Sequence, residues 1–384
     1  MAAPLSKVKP MPVHVRSIQT AVPSTVLRQV DARRIFVTQP GLTRLGERLV
    51  GAAFDASGIE TRHTVIDDFS AHGDGERTFF DGATGALLSP STRERNDVYI
   101  RSAGAMFVEA GRAALDACPD LGPADVTHVV TASCTGFYAP GPDFELVREL
   151  GLATTVQRTH IGFMGCYAAF PALRAAAAFC RADPDAVVLV VSCEVCTIHV
   201  RSSNDPDQIV ASSVFGDGAA AAIVTARELP ADAPSLVIDR LASELTPVGE
   251  KDMAWTIGDA GFDMVLSAAV PKIIDNYIEG ALVPLLSPEP ELAADPAGGI
   301  RSWAIHPGGR SILDKVEAKL GLSDRQLEAS RRVLRDFGNM SSATVLFILK
   351  DLLEEQGSGS DRVCAMAFGP GLTVETGLFT RVRP

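Results

Sequence analysis

Three side chains in this 384-residue sequence have types and settings suited to chemistry: Cys166, His306 and Asn339. Cys166 closes the segment THIGFMGC, in which Gly162 and Gly165 punctuate the end of a strand-like run. An Ala-rich helical pattern begins at the cysteine itself. A thiol at a helix N-terminus meets unsatisfied N–H groups and the positive end of the macrodipole, which favours thiolate and makes sulfur a nucleophile. Locally this reading is no stronger than its rival, since a free cysteine is often a small buried hydrophobe. His306 ends the apolar segment SWAIH, and Pro307-Gly-Gly309 turns the chain into another helix, so the imidazole projects from a strand end. Asn339 lies in DFGNMSSA before an apolar helix, where an ordinary N-cap explains it equally well. Together they supply a nucleophile, a proton partner and a carboxamide donor. Spacing alone does not bring them together.

The elements that must position these groups follow an α/β pattern. Short apolar runs at 128–132, 186–192, 219–225, 302–305 and 362–367 read as buried strands. Between them, helical patterns are expected over 99–117, 166–181, 265–280, 312–320, 323–337 and 342–355, with Ser323 and Gln326 forming a capping box. Two polar stretches, 67–97 and 287–299, read as surface excursions. A break at 228–235 (ELPADAPS) separates two portions of similar pattern, so we expect two α/β halves, 1–232 carrying the cysteine and 233–384 carrying the histidine and asparagine.

Bulk properties exclude several classes. A net charge of −12 without a long basic run gives no electrostatic footprint for nucleic acid. No apolar stretch is long enough to insert in a membrane, and the opening MAAPLSKVKPMPVHV lacks the apolar core of a secretory leader, so a cytoplasmic setting is expected. Seven cysteines at irregular positions form no disulfide framework. Cys193 and Cys196 make one C-x-x-C. With no companion pair at zinc spacing, the strand that carries them is better read as buried core than as a metal or redox site.

Four blocks in order, GFMGCYAAFPALR, WAIHPGGRSIL, DFGNMSSATVLF and FGPGLTVETGLF, resemble the signatures of type III polyketide synthases, the chalcone and stilbene synthase superfamily, with the look of a bacterial member. The resemblance spans about 15–380. It implies a thiolase-like fold, two similar halves with buried mixed sheets in α-β-α-β-α layers. It also implies that Cys166 carries the acyl chain as a thioester, that His306 keeps the sulfur ionised, and that His306 and Asn339 hold the malonyl thioester carbonyl. The substrates implied are an acyl-CoA starter and malonyl-CoA, with no metal or redox cofactor, and the family's assembly is a homodimer.

Phe215 in VFGDG resembles the family's gating phenylalanine, and Met264 in GFDMVLS stands where plant enzymes have a second one. Cys134, His199, Trp255 and Ser341 fall on cavity-lining positions, Trp255 in place of a glycine, and Gly308 on the turn bordering the CoA tunnel. The plant members' phosphate-anchoring basic residues are not reproduced, and Arg48 and Arg62 are candidate substitutes. Met264 suits an aliphatic starter, giving alkylpyrones or alkylresorcinols. Two alternatives remain at this level, a single-condensation β-ketoacyl-acyl carrier protein synthase and a non-catalytic acyl-CoA-binding protein; a thiolase would use a second cysteine, but Cys364 is read as strand core because Asn339 fills the third role.

Overall fold

The computed structural model describes residues 11–69 and 77–384. Its core is a nine-stranded sheet running Ser302–Ile305, Gly359–Gly369, Thr373–Arg383, Ser235–Leu245, His14–Ala21, Asp217–Thr225, Val187–Val195, His128–Ser133 and Gln157–Gly162. His128–Ser133 pairs in parallel with both its neighbours, and Ser302–Ile305 with Gly359–Gly369, while the other pairings are antiparallel. The sheet is nearly two. Among the described residues its halves meet at two pairs, His14 opposite Val237 and Val15 opposite Leu236.

Every residue of Val187–Val195 and of Asp217–Thr225 is buried, which explains why both read as continuous apolar runs: helices cover both faces. Helix Thr92–Asp116 packs Tyr99, Phe107 and Ala110 on the outer face of the N-terminal strands. Helices Ala169–Ala182 and Thr344–Glu354 lie between the half-sheets, touching Val188 and Ala222 on one side and Val363 and Phe379 on the other. Helices Val270–Leu286 and Arg310–Leu320 cover the C-terminal strands through Ile274, Ile278, Leu313 and Val316. The result is the α-β-α-β-α layering of the thiolase-like fold. Removing Phe170 or Leu173 from the middle layer would cost on the order of 2–5 kcal/mol, because both are fully buried between sheets.

Several boundaries differ from the sequence reading, each for a local reason. The helix expected from 99 starts at Thr92, inside the polar stretch 67–97, because Ser91 and Glu94 close a capping box: Glu94 accepts the Ser91 N–H at 2.7 Å and Ser91 Oγ the Glu94 N–H at 3.3 Å. Part of that stretch, 70–76, lies outside the described residues. The excursion 287–299 contains two short helices, Pro290–Ala294 and Pro296–Gly299, each with proline in its first turn. The helix expected from 265 begins at Val270. Residues before it belong to a hairpin, Met253–Gly258 with Gly261–Leu266, which stands apart from the main sheet.

Candidate active site

Each half contributes to one site. In the N-terminal half, strand Gln157–Gly162 ends and the chain reverses through Phe163 and Gly165, both at positive φ (59° and 77°). Only glycine fits at 165, where an added Cβ would come within 2.7 Å of Pro370. Cys166 therefore lies in a 3₁₀ turn, Gly165–Tyr167, just ahead of helix Ala169–Ala182 rather than in that helix.

In the C-terminal half, His306 directly follows strand Ser302–Ile305, held by its N–H donating to Met366 O at 2.8 Å. Asn339 is no N-cap. Its main chain pairs with Phe215, and a 3₁₀ turn, Ser341–Ala343, intervenes before helix Thr344–Glu354. The Asn339 Oδ1 accepts the Ser341 N–H at 2.8 Å, which turns Nδ2 toward Gly308 O, 3.5 Å away. The Cys166 Sγ stands 4.0 Å from Asn339 Oδ1. Cys166, His306 and Asn339 line one cavity of about 410 Å³.

Electrostatics in this cavity are dominated by desolvation. Burial pushes the Cys166 thiol up to about 11, and hydrogen bonding from Ser341 and Asn339 only partly opposes it. Burial also holds the His306 imidazole down at about 3. Burial thus opposes the thiolate expected from a helix N-terminus, because the sulfur precedes the helix and sits in an apolar wall. Both His306 ring nitrogens are buried without a hydrogen-bond partner among the described residues. Such a group costs about 1–3 kcal/mol unless something else bonds to it. It is available to an incoming carbonyl.

Cys134, Phe215, Trp255, Met264, Ser341 and Gly308 all border the cavity. His199 does not. Its Nε2 donates to Thr135 O at 2.8 Å, its Nδ1 accepts the Phe262 N–H at 3.2 Å, and its ring stacks on Phe262 at 4.1 Å. It faces a separate void of about 40 Å³ that shares Cys196, Phe215, Trp255 and Met264 with the main cavity. Trp255 stands in the dividing wall, its indole N–H donating to Cys134 O at 3.2 Å. Arg62 is also placed otherwise than expected: it is 3% exposed and donates to Ser212 O and Phe215 O at 2.9 and 2.7 Å, holding the phenylalanine's main chain. Arg48 lies on the exposed face of helix Arg44–Ala56. Cys364 is buried in strand Gly359–Gly369, as is Cys193 in Val187–Val195, whereas Cys196 reaches the cavity wall.

One residue escaped the sequence reading. Glu194 is fully buried, and its carboxylate accepts from Cys134 N, Thr135 Oγ1 and Ser342 Oγ at 2.9, 2.9 and 2.5 Å. Burial raises its pKa against these bonds. It ties the turn after strand His128–Ser133 to the segment that carries Ser341. A carboxylate within the apolar run VVLVVSCEV was the mark that could have revealed it, since buried charges persist only where they are bonded.

Comparison with known proteins agrees with this architecture. Residues 8–228 match the family described as chalcone and stilbene synthases, N-terminal domain, and residues 238–383 match the C-terminal domain. The bisdemethoxycurcumin synthase of Oryza sativa subsp. japonica is 36% identical over 302 residues, 75% of this chain and 73% of its own. Among solved structures, PKS-I of the brown alga Ectocarpus siliculosus superposes with a TM-score of 0.89 at 27% identity, covering 98% of this chain and 100% of the other. The C-terminal type III polyketide synthase domain of Steely1 from Dictyostelium gives 0.87 at 27%, covering 97% and 99%. A fold of two half-sheets about one cavity with cysteine, histidine and asparagine defines a condensing acyltransferase. The chain belongs to the chalcone and stilbene synthase family of type III polyketide synthases.

Proposed function

We propose that this enzyme extends an aliphatic acyl-CoA starter by iterative decarboxylative condensation with malonyl-CoA and cyclises the product to alkylpyrones or alkylresorcinols. The observation that carries this reading is the convergence of Cys166, His306 and Asn339 on one largely apolar cavity. His306 takes the Cys166 proton, the thiolate attacks the acyl-CoA carbonyl, and CoA thiolate leaves with that proton. Malonyl-CoA then binds with its thioester oxygen facing the His306 imidazole and the Asn339 carboxamide. Loss of CO₂ leaves an enolate whose charge these donors stabilise, as in an oxyanion hole. The enolate carbon attacks the thioester on Cys166, forming a C–C bond and releasing the Cys166 thiolate. The chain, now on CoA and two carbons longer, returns to the sulfur for the next round.

Met264 and Trp255 support the aliphatic preference: the first is flexible and apolar, and the second fills space that an aromatic starter needs. The reaction needs no metal or redox group, its substrates being CoA thioesters, and we infer a cytoplasmic homodimer. Among the described residues no helix is long and apolar enough to cross a membrane. The test is incubation of purified protein with a fatty acyl-CoA and malonyl-CoA. An acyl adduct on Cys166 by intact-protein mass spectrometry and carrier-free release of pyrones or resorcinols are expected. Strict dependence on acyl carrier protein would favour the single-condensation alternative, and absence of any adduct would favour a binding protein.

A further inference from the structure

The catalytic cavity opens to solvent at one end and is closed at the other. His306 and Asn339 at its depth are 1% exposed, whereas Ala56, Ala268, Arg310 and Ser311 at its rim are exposed. Among the described residues Arg310 is the one Arg, Lys, Asp or Glu in the wall. It opens helix Arg310–Leu320, and a Cβ on Gly58 would lie 3.3 Å from its own, so its stem is seated against the turn after helix Arg44–Ala56.

The guanidinium is weakly committed. Its neighbour Asp314 is 3.6 Å away, with the two side chains 59% and 47% exposed. Asp314 is held more closely by Arg331, at 2.9 Å, which also binds Glu317 at 2.7 Å. An exposed pair at such a distance contributes little to stability and exchanges readily for a better anion.

We propose that Arg310 is the cation that anchors the phosphates of the CoA substrates, an inference that rests on the proposed use of CoA thioesters. The chemistry is asymmetric along the ligand. A thioester must reach Cys166 at the deep end, its pantetheine arm is largely uncharged like the cavity wall, and its nucleotide end is polyanionic. That end emerges at the rim where Arg310 stands. A chain of net charge −12 repels a polyanion overall, so a local cation at the entrance has a specific task. The planar guanidinium suits bidentate contact with phosphate. The role expected of Arg62 is thereby moved to another element, since Arg62 is buried away from the rim.

The test measures affinity for free CoA and for pantetheine, which lacks the phosphates, by calorimetry on the whole protein. Wild type should prefer CoA. Arg310→Ala should weaken CoA binding about tenfold and shrink that preference, Arg310→Lys should recover part of it, and Arg310→Glu should reduce it further. Equal losses for CoA and pantetheine, an unchanged preference in Arg310→Ala, or no preference in wild type would each overturn the assignment. Because this readout needs no turnover, it is separable from acylation of Cys166, whose absence would instead refute the proposed reaction.

Discussion

Phe215 and Asn339 are joined main chain to main chain: the Asn339 N–H donates to Val214 O at 2.8 Å and the Gly216 N–H to Asn339 O at 2.9 Å. The cavity-wall aromatic and the carboxamide come from segments more than a hundred residues apart, yet they share one short parallel bridge. Neither bond uses the Asn339 side chain.

Substituting that side chain therefore leaves the bridge in place. Asn339→Ala should still accept an acyl group on Cys166, while malonyl decarboxylation and extension fall by about 10²–10³. Loss of the Oδ1 bond to the Ser341 N–H should cost only about 1 kcal/mol of stability. Adduct formation by mass spectrometry beside CO₂ release checks both halves. Equal loss of loading and extension would place Asn339 in a structural role instead.

The two cysteines of the thiolase alternative separate cleanly. Cys364 is fully buried in a strand and burial raises its pKa far from the functional range, while Cys166 lines the cavity. Cys364→Ala should keep turnover and lose about 1 kcal/mol of stability from the small void left behind. Cys166→Ala should form no acyl adduct. Turnover that depends on Cys364 would revive a two-cysteine mechanism.

Much of this was legible in the sequence, and the limits have physical causes. The buried strands announced themselves because both faces are covered, so Val187–Val195 reads as a continuous apolar run from Val187 to Val191, with Ser192 and Glu194 as its polar residues. The hairpin carrying Trp255 and Met264 did not. Its residues lack strict alternation because the successive residues Met253, Ala254 and Trp255 all line the cavity, and the apolar residues at its end ran on into the helical pattern from Val270. Cys166, His306 and Asn339 were recognisable by type, but their meeting depends on half-sheets that share two residue pairs, a relationship no local pattern encodes. His199 was misplaced by one layer. It borders the small void with Phe262 stacked on its ring, and Trp255, edge-on to that ring, lines both this void and the cavity of the catalytic groups.

That layer makes a prediction about chain length. Trp255 divides the main cavity from the 40 Å³ void bordered by Leu27, Phe36 and Phe262. Trp255→Ala should join the two spaces and shift the preferred starter to longer aliphatic chains, with a stability loss of about 2–4 kcal/mol or less because the residue is only partly buried. A product profile against a panel of acyl-CoA starters gives the answer. An unchanged length limit would mean that the wall is set by Phe215 and Met264 rather than by the indole.

The last prediction concerns acid stability and follows from His306. Its imidazole titrates near 3 in the folded protein because of burial alone, against 6.5 when free. Between these values the unfolded chain binds a proton that the folded chain does not. The stabilising effect of keeping His306 neutral is therefore complete above about 6.5 and is lost as pH falls toward 3. His199, also near 3, acts in the same direction, whereas Asp217, raised by burial to about 6 from 3.8, works the opposite way between those two values. The net acid slope mixes these with other shifted groups, among them His160, lowered by burial, and Glu194, raised by it, so the informative quantity is a difference. His306→Ala should flatten the dependence of unfolding free energy on pH by up to one proton, about 2 kcal/mol less loss between pH 7 and 5 than wild type. Urea unfolding at the two pH values measures it. Parallel profiles for variant and wild type would show that the buried imidazole binds its proton in the folded state, which would also undercut its role as the neutral acceptor of the Cys166 proton.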